Sequence, residues 1–461
     1  MMGNRKDYSK DIYPLLRDIA AVFIRGGKKV YLVGGAVRDL LRGKKPQDWD
    51  LATDARPDEV ISFFSRVIPT GIKHGTVTVL FKGHSFEVTT FRTESDYRDG
   101  RRPEKVSYAA AIEEDLSRRD FTMNAAALSL PGGILCDPFD GEGDIKRRLI
   151  RCVGNPAERF AEDGLRPMRA LRFASQLRFD LDARLLEAVP AALPVTAMVA
   201  PERLREELDK IIASEKPSTA FLLMEKTGLL ALLLPELAAC RNVEQKGYHH
   251  FDVLDHSLLA CDYAAAKDFP PTVRLAALFH DLGKPETRRL DENGIWTFYH
   301  HEQVTAALTE KILRRFRYPN TVIDATIHLT AEHMFHYTDD WTDAAVRRFV
   351  IRVGEENLDA LYDLRLCDAY GMARMEPPAD TLLTLQRRVE EVLAASRALS
   401  LKDLEVSGND LAGIGIAPGR IMGIILKELL DTVISDPSCN NREKLLEIAG
   451  NLGERYKLVS K

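Results

Sequence analysis

At 461 residues the chain is long enough for roughly three domains with self-sufficient cores, and its six cysteines are scattered without a CxxC pair, which argues against a disulfide framework or a thiolate zinc site. A formal net charge of −5, from 64 basic and 69 acidic residues, gives no global attraction to nucleic acid, so any such binding must rest on a local basic patch. The N-terminus MMGNRKDYSKDIYPLL lacks the apolar run of a signal peptide, and the most apolar stretch, FLLMEKTGLLALLLPEL, is interrupted by Glu225 and Lys226. A cytoplasmic protein with core thiols and no membrane partner is expected, as a monomer or homodimer.

Residues 28–150 alternate β-branched runs (KVYLVGG, DWDLAT, GTVTVLF, SFEVTTF) with short amphipathic helices, which predicts a small sheet packed by helices, a head spanning 1–150. Gly34 and Gly35 end the first strand and let backbone approach a ligand. The helix from Ala36 aims its amides at an anion, with Arg38 one turn in. On a strand, Asp48 and Asp50 point to one side and so need a cation. Mg2+ takes such oxygen ligands and leaves room for phosphate oxygens, and two ions stabilise both the attacking and leaving oxygens of an in-line displacement. Glu87, sharing a face with Ser85 and Thr89, is a third carboxylate. The polar, glycine-bearing segment RTESDYRDGRRPEKVSY reads as a mobile loop.

Beyond about residue 155 the apolar spacing turns helical, in EDGLRPMRALRFASQL and PERLREELDKIIASEK, and stays so to the end. A helical neck and body are expected over 151–243. Asp163 and Arg166, three apart, predict an acceptor beside a donor on one helix face, with Glu162 holding the guanidinium and Pro167 marking a helix start or kink. Cytosine and adenine both offer an exocyclic amino group beside a ring acceptor in that order, whereas uracil and guanine reverse it, so the pair can admit CTP and ATP and reject UTP and GTP. Arg147, Arg148, Arg151, Arg159, Arg166, Arg169, Arg172 and Arg178 form the local basic patch.

Nine of the eleven histidines crowd into 249–336 and mark a module over 244–375, followed by a helical tail over 376–461. His256, the adjacent His280 and Asp281 in LFHDLGK, and the distant Asp368 can converge as N and O ligands on one divalent metal. His301 and His333 are candidates for phosphate or a second ion. His249, His250, His300, His328 and His336 read as polar core or surface residues. In the tail, Gly415, Pro418 and Gly419 open a helix whose amides are candidates for an RNA phosphate.

Together GGAVRDLL and DWDLAT resemble the active-site motif of the class II tRNA nucleotidyltransferases, the CCA-adding enzymes, and of the related bacterial poly(A) polymerases. RRDFTMNAAAL resembles the family's ribose motif, DPFDGEGDI its hinge and EDGLRPMRALRFA its base motif, so that the likeness covers residues 28 to about 215. It implies an α+β, polymerase-β-like head before an all-α remainder, and template-independent addition of C, C and A to the tRNA 3′ end. Asp120 and Asn124, one helical turn apart, would meet the ribose, and Arg118 or Arg119 the phosphate. Arg169 and Arg172 would lie at the nucleotide, Arg147, Arg148, Arg151 and Arg178 at the RNA. The loop before RRD is implied in the passage from C to A addition. The histidine module resembles the HD phosphohydrolases, which implies hydrolysis of phosphate monoesters or 2′,3′-cyclic phosphates with Mg2+, Mn2+, Ni2+ or Co2+. Two alternatives stand beside this: a poly(A) polymerase or A-adding enzyme, and a phosphohydrolase with an RNA-holding head.

Overall fold

The structure is a computed structural model that describes residues 8, 10, 12–72, 75–97, 103–245, 250–395 and 400–459. Its strands are β1 (Val30–Val33), β2 (Asp50–Thr53), β3 (Val67–Gly71), β4 (Thr76–Phe81), β5 (His84–Thr90), β6 (Arg92–Tyr97), β7 (Pro103–Tyr108), β8 (Ala127–Ser129) and β9 (Leu135–Cys136), with short pairs further on. The helices of the first half are α1 (Pro14–Arg25), α2 (Gly35–Leu41), α3 (Pro57–Phe63), α4 (Ile112–Ser117), α5 (Gly141–Arg147), α6 (Pro156–Glu162), α7 (Arg166–Leu177), α8 (Ala183–Thr196), α9 (Pro201–Ile212), α10 (Ser218–Lys226), α11 (Leu229–Leu233) and α12 (Pro235–Ala238). Those of the second are α13 (Val253–Ala266), α14 (Pro271–Phe279), α15 (Lys284–Thr287), α16 (His301–Arg315), α17 (Asn320–Glu332), α18 (Asp343–Val353), α19 (Leu358–Ala373), α20 (Asp380–Ala395), α21 (Gly408–Gly413), α22 (Arg420–Ser435) and α23 (Arg442–Val459).

In the head, seven described strands form a mixed sheet ordered β3-β4-β5-β2-β1-β8-β9. The helix α1 covers it because Leu16, Ile19, Ala20 and Phe23 recur at helical spacing, and that stripe packs on Leu32, Leu51, Val77, Phe86 and Val88. β2 runs parallel to β5, and this single parallel pairing sets Asp50 opposite Glu87. The segment expected as a mobile loop carries an antiparallel hairpin, β6 with β7, whose tip at 98–102 lies outside the described residues.

The chain divides into two units, Met1–Ala239 with Ile312–Tyr318, and Cys240–Lys311 with Pro319–Lys461. The first takes its longer segment up to Ala239 and regains the chain at Ile312–Tyr318. Within the second unit α18 lies against α22, with the Arg347 Nε donating to the Ile434 carbonyl at 2.8 Å and Arg348 to Ser435 at 2.8 Å. The tail has its own small core of Leu411, Ile425, Leu429, Val433 and Leu445. Cys152, Cys240, Cys261 and Cys367 are buried thiols as expected, but Cys136 and Cys439 are partly exposed. No described helix is long and apolar enough to cross a membrane.

Candidate functional sites

Gly34 takes a φ of 68° and caps α2, a backbone turn open to glycine at little cost. A Cβ there would lie 3.2 Å from Arg119 Nη1 and 3.3 Å from Asp50 Oδ2, so the turn is pressed against the site. Asp50 begins β2, whereas Asp48 sits in the bend before it. Strand alternation therefore does not place Asp48; the chain entering the strand does. Burial, Glu87 and Asp48 together push the Asp50 carboxyl up to about 6 against the pull of Arg119. A partly buried carboxylate with two like-charged neighbours fits a bound cation.

The arginines of RRD are held from below by Asp115, almost fully buried, which pairs with Arg118 at 3.0 Å and Arg119 at 3.2 Å. Arg38 donates to Asn124 Oδ1 at 3.1 Å and pairs with Asp39 at 3.0 Å. Asp120 and Asn124 are not a helical turn apart: a bend and a 3-10 turn over Thr122–Asn124 join them, with Asn124 Nδ2 donating to Asp120 Oδ1 at 3.3 Å. Asp120 is also more engaged than expected. Its Oδ1 accepts from the Phe121 amide at 2.8 Å and its Oδ2 from Arg169 at 2.8 and 2.6 Å. Burial raises its carboxyl, but the Arg169 charge and hydrogen bonds outweigh this and hold it at about 2. Asp120 thus hydrogen-bonds both Asn124 and Arg169, one through each of its oxygens.

Asp163 and Arg166 do not share a helix face. The helix ends at Glu162; Gly164 then passes so close to α8 that a Cβ there would come 2.5 Å from the Val195 carbonyl oxygen, and Pro167 stands in the first turn of the new helix α7. Asp163 therefore stands extended at the end of α6, its Oδ1 accepting from the Leu165 amide at 3.1 Å and its Oδ2 from Arg203 at 2.9 Å. Arg166 leads α7, held by Glu162 at 2.6 Å, as expected, and by the carbonyls of Arg159 and Arg118. A corner joins the two residues, the Arg166 amide donating to the Asp163 carbonyl at 3.0 Å. Arg203 and Glu207, both in PERLREELDKI, were not anticipated. Glu207, nearly fully buried, pairs with Arg172 at 2.5 Å, and Arg172 stacks on Phe173 at 3.8 Å. Burial draws the Arg172 guanidinium down to about 10 despite Glu207. Arg172 braces α7 against α9 and does not stand open to a nucleotide.

Of the expected RNA contacts, Arg147 and Arg151 both bind the buried Asp144, at 2.6 and 2.8 Å, and Asp144 also accepts from Thr122 at 2.6 Å. Asp144 is thus the hub of the hinge motif. Arg178 is largely exposed, 3.5 Å from Glu215, and Arg148 ends α5; both have positive φ. In the tail, Gly415 (φ 88°) precedes α22 and Gly419 caps it.

In the second unit His256 lies on α13. His280 closes α14 and Asp281 follows just past its end, not within a helix. His301 opens α16, His333 closes α17 and Asp368 lies on α19. His256 Nε2 stands 2.9 Å from His280 Nε2 and 3.3 Å from both Asp281 Oδ2 and Asp368 Oδ1. His301 Nε2 stands 3.3 Å from His333 Nε2 and 3.3 Å from Asp281 Oδ1. Among the described residues these are the two triads whose ligand atoms converge: His256, His280 and Asp368, and Asp281, His301 and His333. Burial depresses the His256 imidazole, yet Asp281 and Asp368 raise it to about 9; the converging nitrogen and oxygen atoms are of the kinds that could hold a divalent cation. Burial and His280 hold His333 down at about 3, a neutral ring.

Two unforeseen residues reach these carboxylates: Lys284 pairs with Asp281 Oδ2 and Arg365 with Asp368 Oδ2, at 2.6 and 2.7 Å. Both face a cavity of about 500 Å³, lined also by Trp296, Phe298 and Tyr299. Gly283 lets α16 come close, since a Cβ would lie 2.3 Å from the His301 carbonyl oxygen. The HDLG run carries that signal, a glycine after a helix end. His300 is exposed, His328 donates to the Val353 carbonyl at 2.5 Å, and His249 lies outside the described residues.

The head, neck and hinge so described recur in known proteins. Residues 30–151 match the family described as Poly A polymerase head domain, 178–241 that described as Probable RNA and SrmB-binding site of polymerase A, and 289–449 that described as "tRNA nucleotidyltransferase domain 2 putative". The CCA-adding enzyme of Bacillus licheniformis is 34% identical over 94% of this chain and 96% of its own length. This chain belongs to the CCA-adding enzyme family. A CCA-adding enzyme of Geobacillus thermodenitrificans is 50% identical, with the match spanning 46% of this chain and about half, 52%, of that relative. The crystal structure of Bacillus stearothermophilus CCA-adding enzyme in complex with CTP is 30% identical, covers 97% of this chain and 99% of its own, and superposes with a TM-score of 0.72.

Proposed function

We propose that this chain adds C, C and A to the 3′ end of tRNA from CTP and ATP without a nucleic-acid template. The observation that carries this is the head carboxylate set, Asp50 in register with Glu87 and pressed against Gly34 and Arg119, in a member of the CCA-adding family. Asp48 and Asp50 would hold Mg2+, which when bound neutralises charge on the attacking and leaving oxygens. Arg38 and Arg119 receive the triphosphate beside the Gly34 turn. The RNA 3′-hydroxyl attacks the α-phosphate, its proton passes to solvent, and pyrophosphate leaves. Asn124 and Arg169, oriented by Asp120, face the ribose. Asp163 accepts from the exocyclic amino group and Arg166 donates to the neighbouring ring nitrogen, so that uracil and guanine meet like partners. Arg148 and Arg178 meet the RNA backbone, with Gly415 and Gly419 in the tail. Purified protein, tRNA ending at the discriminator base and each labelled NTP in turn test the reading: incorporation of two C residues and then one A supports it, and A-only or poly(A) products refute it.

A second reading rests on the buried histidine cluster. We infer that His256, His280, Asp281 and Asp368 hold a divalent metal, Mg2+, Mn2+, Ni2+ or Co2+, that serves hydrolysis of phosphate monoesters or 2′,3′-cyclic phosphates, with Lys284 and Arg365 positioned for the phosphate. His280→Ala or Asp281→Ala should remove this activity and spare CTP incorporation. An absence of hydrolysis by the wild type with all four metals would reduce the cluster to a structural role.

A further inference from the structure

We propose that Thr196, the last residue of α8, is a positioning residue for base selection, its hydroxyl holding the corner between Asp163 and Arg166. This rests on the reading that those two side chains choose the incoming base. Each of them is tied close to its own backbone. Both Asp163 carboxylate oxygens are engaged, by the Leu165 amide and by Arg203, and the Arg166 guanidinium is held by Glu162 and by the carbonyls of Arg159 and Arg118. Their mutual placement is therefore left to the backbone between them, which belongs to neither α6 nor α7. There the Arg166 amide donates to the Asp163 carbonyl at 3.0 Å, closing a turn over Gly164 and Leu165.

Gly164 joins that turn to α8. Its carbonyl oxygen accepts from Thr196 Oγ1 at 2.8 Å, and both residues are buried. The backbones meet directly, since a Cβ at 164 would lie 2.5 Å from the Val195 carbonyl oxygen and 2.9 Å from the Thr196 amide nitrogen. A threonine inside a helix commonly turns its hydroxyl to a carbonyl one turn back in its own helix. Thr326, Thr384 and Thr432 do so, donating to the carbonyls of Val322, Asp380 and Glu428. Thr196 instead sends its hydroxyl across to the corner. Pro194, two residues earlier, has a fixed φ and stiffens the turn from which that hydroxyl projects. A buried carbonyl that loses its donor is left unsatisfied, and the chain shifts to relieve it. A shift at Gly164 moves Asp163 directly and Arg166 two residues on.

The test is kcat/KM for CTP, ATP, UTP and GTP on tRNA lacking its 3′ end, measured on the full-length chain. Thr196→Val keeps the shape and removes the hydroxyl; Thr196→Ser keeps the hydroxyl. Thr196→Val should lower the CTP-to-UTP and ATP-to-GTP ratios by about threefold to tenfold, the size of one hydrogen bond, and Thr196→Ser should retain the wild-type ratios. In an Asp163→Ala background the loss from Thr196→Val should shrink, because it acts through the placement of that carboxylate. Uniform slowing of all four nucleotides by Thr196→Val, or a loss of discrimination as large in the double variant as in the single, overturns the proposal. If Asp163→Ala relaxes discrimination and Thr196→Val does not, the positioning role falls and the base-reading pair stands. Unchanged ratios in Asp163→Ala remove the pair and the positioning role with it. Should Thr196→Val fail to fold, Thr196→Ala is read in the same way; failure of both, with Thr196→Ser melting as the wild type does, makes the hydroxyl purely structural and overturns the proposal too.

Discussion

Gly371 on α19 stands so close to His256 on α13 that a Cβ at 371 would lie 2.8 Å from Nδ1 of the imidazole and 2.8 Å from the carbonyl oxygen of the same residue. The two helices bring His256 and Asp368 together only because residue 371 has no side chain. Gly371→Ala should overpack this crossing, destabilise the second unit by about 1–3 kcal/mol and lower its metal content. Melting and metal analysis check it; an unchanged Tm with full metal occupancy would mean that the helices part without disturbing the ligands.

Asp50 and Asp48 reach the site by different routes, one from a strand and one from a bend, but the proposed reaction needs both. Asp48→Ala or Asp50→Ala should abolish nucleotide addition while tRNA affinity stays near normal, because the removed charge faces the triphosphate and not the RNA backbone. Normal turnover in either variant would eliminate the two-metal reading.

Asp120 is held at about 2, below the ordinary 3.8, with burial opposing and Arg169 prevailing. A depressed folded-state value means that its stabilisation is fully present above pH 3.8 and is lost as pH falls toward 2; the shift corresponds to about 2 kcal/mol at neutral pH. Asp120→Asn should remove that stabilisation at pH 7 and flatten the acid limb between pH 4 and 2, as measured by urea unfolding at several pH values. Unaltered pH dependence would place the coupling elsewhere.

Asp163 is fixed by Arg203 and the Leu165 amide, so a base edge meets it in one orientation. Asp163→Ala should cost about 1.5–3 kcal/mol of a charge-assisted hydrogen bond and relax discrimination by about tenfold to a hundredfold. UTP gains most relative to CTP, since its O4 no longer faces a carboxylate. Values of kcat/KM for all four nucleotides on tRNA lacking its 3′ end decide it; uniform slowing with wild-type ratios would show that the base is read elsewhere.

The candidate residues of this protein were legible wherever they declare themselves by residue type and local order. Glycines after an apolar strand, aspartates two apart, a carboxylate on the alternating face of SFEVTTF and an HD dipeptide with distant partners all announce themselves within a few residues, because strand and helix periods are local properties. What sequence order left undecided was how elements meet. The parallel pairing of β2 with β5 alone sets Glu87 across from Asp50. Between Asp163 and Arg166 the chain turns a corner at Gly164, packed against the α8 backbone, so their spacing was misread as one helix face. Buried anions such as Asp115, Asp144 and Glu207 claim Arg119, Arg151 and Arg172, turning a run of basic residues into bracing as much as a basic surface. The division of Asp281 between two histidine pairs depends on four helices arriving at one point, and on glycines at 283 and 371 that let them approach. Distances across the chain are set by packing, and packing is a property of the assembled core.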